Sequence, residues 1–183
     1  KAKKIAMQQN TVVTQRECPA RRVPSGQLTS IPAGQFINIK QDLGGNYTIT
    51  WQGNMLRIDG TDAGAIGREP EVISFSENNS DQIDTEQVWQ AIRSVFDPEI
   101  PVNLVDLGLI YAVDIDQESK TANITMTLTA PGCGMGPILV SDVEYRVAKA
   151  PNVEHVNVEL VFDPAWHKDM MSEEAQLETG LFF

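Results

Sequence analysis

The clearest structural signal in the chain is an alternating run, Thr121-Ala-Asn-Ile-Thr-Met-Thr-Leu-Thr129. Its apolar residues share one face and its polar residues share the other, which is the period of a β-strand covered on one side. A second strand is predicted over residues 109–116 and a turn over residues 117–120. The two strands are therefore expected to form a hairpin with one buried face.

Helical patterns stand on both sides of this hairpin. Asp84 is a good N-cap for a helix that ends before Pro98, and Gln87 is its predicted capping-box partner. A second helix is predicted over residues 138–150 and a third alternating strand over residues 156–162. The order helix, strand, strand, helix, strand predicts an α+β layered domain with both helices on one side of a small mixed sheet.

The first part of the chain has a different pattern, in which short apolar runs are separated by turns that contain glycine. Five strands are predicted, over residues 11–16, 27–31, 36–41, 47–51 and 55–58. Proline fixes φ at the second position of a turn, and glycine or asparagine accepts the positive φ that follows. The expected architecture is a small antiparallel β barrel or sandwich.

The chain is expected to contain two domains joined by an acidic linker. Between Glu69 and Asp84 the sequence has five acidic residues and no basic one, together with a polar run, which is typical of a linker. We therefore expect a small β domain over residues 1–68, a linker over residues 69–83 and an α+β domain with a C-terminal tail over residues 84–183. The tail is predicted to end in a short helix capped by Ser172.

Charge divides the chain at the same place. Residues 1–68 carry a net charge of +5 and residues 69–183 a net charge of −16, within a chain whose formal net charge is −11. A strongly acidic domain repels phosphate backbones, so nucleic acid is not an expected partner. The basic part could instead pair with an acidic surface, including that of its own neighbour.

The sequence lacks the features of membrane and secreted proteins. It has no apolar run of the roughly 18 to 20 residues that a membrane-spanning helix needs, and its basic start is not followed by the apolar segment of a signal peptide. Its two cysteines, Cys18 and Cys133, form no CxxC pair, so neither a disulfide scaffold nor a self-contained zinc module is expected. We expect a cytoplasmic protein with no membrane partner.

Cys133 is the leading candidate for chemistry. It lies in Pro131-Gly-Cys-Gly-Met-Gly-Pro137, between a predicted strand end and a predicted helix start. A helix N-terminus favours thiolate over thiol, and a thiolate is both a soft metal ligand and a nucleophile. Asp142 and Glu144 would raise its pKa if they faced it. The alternative is a buried cysteine that acts as a small apolar residue.

Two carboxylates and a hydroxyl are further candidates. Asp97-Pro-Glu-Ile-Pro101 holds Asp97 and Glu99 in a rigid irregular segment, and rigid positions suit a binding site. If the first helix packs over the sheet, this segment approaches the strand end that carries Thr129. Asp97 and Glu99 could instead be a helix stop and a capping carboxylate.

Two motifs together resemble a known family. Asp97-Pro-Glu-Ile-Pro-Val-Asn-Leu-Val-Asp-Leu-Gly-Leu-Ile-Tyr111 and Thr127-Leu-Thr-Ala-Pro-Gly-Cys133 resemble the iron-sulfur assembly domain of PaaD-like proteins and of eukaryotic cytosolic iron-sulfur targeting factors. The segments Leu43-Gly-Gly-Asn-Tyr47 and Phe162-Asp-Pro-Ala-Trp166 are similar to those of its two-domain bacterial members. The resemblance implies a non-catalytic auxiliary factor that works beside the SUF machinery, with the characteristic cysteine at Cys133.

The hypothesis is a maturation factor in which Cys133 is a transient ligand of iron or of an iron-sulfur cluster in transit, with Asp97, Glu99 and Thr129 shaping the site. Stable binding is not expected, because a cluster needs four ligands and one cysteine supplies a single one. The expected partners are iron-sulfur assembly proteins, client apoproteins and, in a homodimer, a second copy. Two alternatives stay open: a metal-free adaptor that docks clients through its acidic surface, and a thiol enzyme without an evident resolving cysteine.

Overall fold

The computed structural model of the protein describes residues 10–98, 100–132 and 134–180. The strands are β1 (Thr11–Val13), β2 (Cys18–Arg22), β3 (Leu28–Ile31), β4 (Phe36–Gln41), β5 (Tyr47–Trp51), β6 (Asn54–Ile58), β7 (Ile110–Asp116), β8 (Thr121–Met126) and β9 (His155–Leu160). The helices are α1 (Thr85–Arg93), α2 (Gly136–Val147) and α3 (Glu173–Thr179). Short 3-10 segments lie at Leu43–Gly45, Gly60–Ile66 and Lys168–Met170.

Strands β7, β8 and β9 form the C-terminal sheet, with β8 in the centre, antiparallel to β7 and parallel to β9. The predicted apolar face of β8 is buried, and its residues share one hydrophobic core with residues of α1 and α2. The core positions from the alternating run are Ala122, Ile124, Met126 and Leu128. The mixed sheet with both helices against one face is therefore confirmed. The alternation along β8 places its apolar side chains on a single face, and this is the face that the helices cover.

The start of α1 agrees with the sequence in one contact and differs in another. The Asp84 carboxylate accepts a hydrogen bond of 2.9 Å from the N–H of Glu86, as expected of an N-cap. The capping box predicted with Gln87 is wrong, since the buried Gln87 amide donates to the carbonyl of Ser76 at 2.6 Å. The segment that precedes α1 passes over the helix and offers Gln87 a backbone acceptor that a local pattern cannot reveal.

Strands β1 to β6 form the N-terminal sheet, in the order β1-β4-β5-β6-β2-β3. Every pairing is antiparallel, as predicted. Of the two predicted architectures, barrel or sandwich, the barrel is wrong, because β1 and β3 lie at opposite edges of an open sheet. Strand β2 was not predicted: its sequence, Cys18-Pro-Ala-Arg-Arg22, contains a proline and two arginines, and Arg21 is buried there.

A buried polar interface joins the N-terminal sheet to α2. The Asp142 side chain is fully buried, and it forms ion pairs with Arg57 (Nε to Oδ2, 3.0 Å) and Arg21 (Nη2 to Oδ1, 2.5 Å). Further along α2, Arg146 donates to the Gly44 carbonyl at 2.7 Å. Residues four apart lie on one face of a helix, so this face of α2 is turned towards the N-terminal sheet. The expected pairing of the basic part with its acidic neighbour occurs here.

The tail packs against the segment before β7. The Trp166 indole N–H donates to the Leu107 carbonyl at 2.8 Å, and the N–H of Ser172 donates to the Asp106 carbonyl at 2.9 Å. Ser172 also caps α3, as predicted, by accepting from the N–H of Ala175 at 3.1 Å. In the described part of the chain, every helix falls short of the length and apolar character needed to cross a bilayer.

Candidate functional site

The sequence predicted four site residues, and two of them can be placed. Asp97 and Thr129 are described, whereas Glu99 and Cys133 lie outside the described residues. The site is therefore built from the segments on either side of those two positions.

The segment that carries Cys133 connects β8 to α2. Thr129, Ala130, Pro131 and Gly132 are exposed on one side of that position, and Gly134 is exposed on the other. A Cβ atom placed on Gly132 would meet no described atom within 4 Å, and one on Gly134 would meet only Pro24, at 3.8 Å. The connection is open to solvent on both sides of position 133.

The start of α2 receives a cap from the N-terminal sheet. Met135, the residue before the helix, makes no side-chain capping bond, and the N–H of Ile138 donates instead to the carbonyl of Pro24 at 3.2 Å. Gly26, at φ +73°, lies so close to the helix that a Cβ atom there would sit 3.1 Å from the Pro137 carbonyl oxygen. The turn between β2 and β3 thus satisfies one of the free amides of the helix start.

In the segment of the predicted acids, Asp97 makes hydrogen bonds to described residues on the far side of position 99. The half-buried Asp97 accepts a bond of 3.1 Å from the N–H of Ile100 through Oδ1, and its own N–H donates to the Val102 carbonyl at 3.0 Å. These bonds favour the predicted rigidity of this segment. Helix α1 ends at Arg93, so Asp97 caps this loop rather than the helix.

Two residues of the N-terminal sheet hold this loop, and sequence analysis missed both. Gln41 Nε2 donates to the carbonyls of Asp97 (2.8 Å) and Ile100 (3.1 Å). Arg57 Nη2 donates to the carbonyl of Phe96 at 3.0 Å, and the Arg57 side chain is fully buried. A signal for Arg57 exists in the sequence, because it is a charged residue within the apolar run Met55-Leu-Arg-Ile58.

Backbone hydrogen bonds connect the strand end near Thr129 to the segment near Asp97. Hydrogen bonds run from the N–H of Thr127 to the Leu109 carbonyl (2.8 Å), from Leu109 to Leu104 (3.1 Å) and from Leu104 to Val95 (2.9 Å). These bonds connect the end of β8 to the segment that follows α1. No hydrogen bond or ion pair between the described atoms links Asp97 to Thr129, and Thr129 is exposed.

Cys18 is not a second ligand for this site. It is fully buried in the hydrophobic core of the N-terminal sheet. Burial, with a smaller contribution from the nearby Asp62, raises the pKa of its thiol to about 11, although Arg16 acts in the opposite direction. Among residues 10–98, 100–132 and 134–180, no three His, Cys, Asp or Glu side chains are grouped to hold a metal ion.

Residues 85–160 match the family described as iron-sulfur cluster assembly protein. Over 103 residues the chain is 47% identical to an Fe-S protein maturation auxiliary factor of Porphyromonas gingivalis, a match that covers 56% of this chain and 97% of that protein. It is 42% identical over 96 residues to the auxiliary factor YitW of Bacillus subtilis, covering 52% and 93% respectively. It is 40% identical over 87 residues to the auxiliary factor SufT of Staphylococcus aureus, covering 48% and 98%.

Proposed function

Because this chain belongs to the family of iron-sulfur cluster assembly proteins, as its motifs predicted, we propose that it is an auxiliary factor that helps to deliver clusters to client apoproteins. Three relatives that carry the name of maturation auxiliary factor match it over 93–98% of their own lengths. In this proposal residues 84–183 form the assembly domain, residues 1–68 a small β domain and residues 69–83 the linker. Its partners are assembly proteins and client apoproteins in the reducing cytoplasm.

The proposed ligand of the transferred iron or cluster is the thiolate of Cys133. The observation that carries this assignment is the exposure of the residues on both sides of position 133, directly before the start of α2. A helix start carries partial positive charge, which favours an anionic ligand. Asp142, which could have opposed the thiolate, is neutralised by its ion pairs with Arg21 and Arg57.

Asp97, Glu99 and Thr129 are proposed to shape the site around that ligand. The Asp97 carboxylate supports this role through its bond to the N–H of Ile100, since it fixes the loop that carries Glu99. Thr129 is exposed at the end of the hairpin, where its hydroxyl is free to meet an incoming partner. These are supporting roles, and Cys133 alone is proposed to bind iron directly.

One cysteine leaves a cluster short of ligands, because iron-sulfur clusters are held by four. The remaining ligands are proposed to come from a second copy of the chain, from a partner protein or from a small thiol. Cys18 is unsuited to the task, given its burial in the opposite sheet. Binding is therefore proposed to be transient, as suits a protein that passes its cargo on.

The test is anaerobic reconstitution with iron and sulfide, followed by transfer to an apoprotein client whose activity depends on the cluster. We expect Cys133→Ser to lose the visible absorption of the bound cluster and the transfer that follows. Cys18→Ala, which removes the other thiol of the chain, is the matched control and is expected to transfer normally once its folding has been verified. Equal transfer by the wild type and Cys133→Ser would refute the ligand role.

The same variants distinguish the two alternatives. A metal-free adaptor predicts that Cys133→Ala restores function in a deletion strain, whereas charge reversals on the acidic surface do not. A thiol enzyme predicts thiol-dependent turnover by the protein alone. Within the described residues, Cys18 cannot resolve an intermediate on Cys133 without leaving its core, because it is fully buried and its pKa is raised.

A further inference from the structure

An irregularity in β4 directs the side chain of Gln41 from the N-terminal sheet towards the second half of the chain. The pairing of β4 with β5 shifts register between Ile39 and Gln41, and such bulges redirect a side chain. The redirected Gln41 amide donates to two carbonyls, those of Asp97 and Ile100, which bracket the position of Glu99. One side chain of the N-terminal sheet therefore binds residues on both sides of position 99.

Arg57 ties this contact to α2. Its guanidinium donates through Nη2 to the Phe96 carbonyl, directly before the loop, and through Nε to Asp142 on α2. Nη1 lies 2.6 Å from the hydroxyl of Thr48 and 3.4 Å from Oε1 of Gln41. Each of the three nitrogens of this buried side chain thus donates at least one hydrogen bond, and these bonds reach both segments from which the proposed site is built.

A third contact acts at the start of α2. The Pro24 carbonyl accepts from the N–H of Ile138, within three residues of the helix start. The N-terminal sheet therefore touches the loop at 97–100 and the start of α2 at the same time. Removal of one partner from a buried ionic network is costly, so the network opposes arrangements in which these segments move apart.

We propose that the N-terminal sheet is a brace that fixes the loop at 97–100 relative to the start of α2, with Gln41 and Arg57 as positioning residues. This inference rests on the proposed function, because the two braced segments are those that carry the proposed site residues. A metal-handling site needs its groups held to within about 0.5 Å, which rotamers locked by surrounding hydrogen bonds provide. The brace gives the first part of the chain a task in cluster handling.

The decisive variant is Gln41→Glu in the full chain. The glutamate keeps the length of the side chain and still accepts from Arg57, but it lacks the N–H groups that hold the two carbonyls. We expect faster amide hydrogen exchange at Ile100, a thermal midpoint close to that of the wild type, and transfer to the client slowed by about tenfold, since small displacements of reacting groups are costly. Gln27→Glu, an exposed position in the turn after β2, is the matched control and is expected to change none of these.

Each outcome decides the matter. Slowed transfer and faster exchange in Gln41→Glu, with Gln27→Glu unchanged, support the brace. Transfer and Ile100 exchange equal to those of the wild type overturn it while leaving the proposed function intact. If the wild type itself transfers no cluster, the proposed function fails, and unchanged exchange at Ile100 in Gln41→Glu would then overturn the brace independently.

Discussion

The Asp142 carboxylate joins the two halves of the chain through two ion pairs. It is fully buried between Arg57, whose side chain is also fully buried, and Arg21, whose side chain is 4% exposed. The substitution Asp142→Asn keeps the size of the side chain and removes its charge. Among the described residues, neither of the two guanidinium groups then has another carboxylate within ion-pair distance.

The expected loss follows from that geometry. Removing one partner from a buried ion pair costs about 3–5 kcal/mol, because the remaining charge stays desolvated. For a chain of this size, each kcal/mol lowers the melting temperature by about 2–4 °C. We therefore expect Asp142→Asn to melt roughly 6–20 °C below the wild type, and to lose about 3–5 kcal/mol in the free energy of unfolding.

Urea unfolding followed by circular dichroism measures this loss. Glu144→Gln is the matched control, since it neutralises an exposed acid two residues further along α2 and is expected to change the free energy of unfolding by less than about 0.5 kcal/mol. If Asp142→Asn falls within about 1 kcal/mol of the wild type, the carboxylate is not enclosed by the two arginines and the interface described above is wrong.

Three further outcomes are expected. Cys18, whose thiol pKa burial raises to about 11, should resist iodoacetamide in the native protein and react only after unfolding in urea; rapid alkylation of the native thiol would contradict this. Burial alone would raise the pKa of Asp59, but the N–H of Thr61 and the Lys149 ammonium hold it below its ordinary 3.8. Folding therefore favours the ionised form of Asp59, so Asp59→Asn should have a lower free energy of unfolding than the wild type at pH 7. This difference in free energy should vanish as the pH falls below 3.8. A difference that grows on acidification would contradict the prediction. Gly108→Ala should loosen the tail, because Gly108 has φ +75° and a Cβ atom there would collide with the Met170 carbonyl. Tryptic cleavage at Lys168 measures this, with Gly64→Ala as the control, since a Cβ atom at Gly64 has open space. Cleavage of Gly108→Ala no faster than that of the control would contradict the prediction.

The C-terminal sheet was predictable because its signals are local. The period of two along β8 identifies its buried face without reference to any other part of the chain. The N-cap at Asp84 and the cap at Ser172 are likewise short-range contacts, and both occur in the structure. In each case neighbours within four residues determine the conformation.

Strand β2 shows why the remainder was not predictable. Arg21 is buried in a strand only because Asp142, on a helix formed much later in the chain, provides its counter-charge. A pattern read over ten residues assigns such an arginine to the surface. Gln87 was misassigned for the same reason, since its true acceptor, the Ser76 carbonyl, comes from the segment that crosses the helix.

In the candidate site, too, local contacts were predictable from the sequence and contacts between distant residues were not. The motif at 97–101 indicated a rigid loop, and the Asp97 carboxylate provides part of that rigidity. The contacts from Gln41 and Arg57 link positions 56 and 39 residues apart along the chain, so no local spacing encodes them. Their acceptors are backbone carbonyls, whose availability depends on the folded path and not on residue type.

Helix α2 is covered on two of its sides, and Glu144 lies on the side that remains exposed. Its apolar residues fill the core above the C-terminal sheet, and its charged residues at 142 and 146 find their partners only in the N-terminal sheet. A protein cut down to the second half of the chain would present those charges to water without the partners that hold them in the full chain. The two halves are accordingly expected to melt in a single transition, as parts of one cooperative unit.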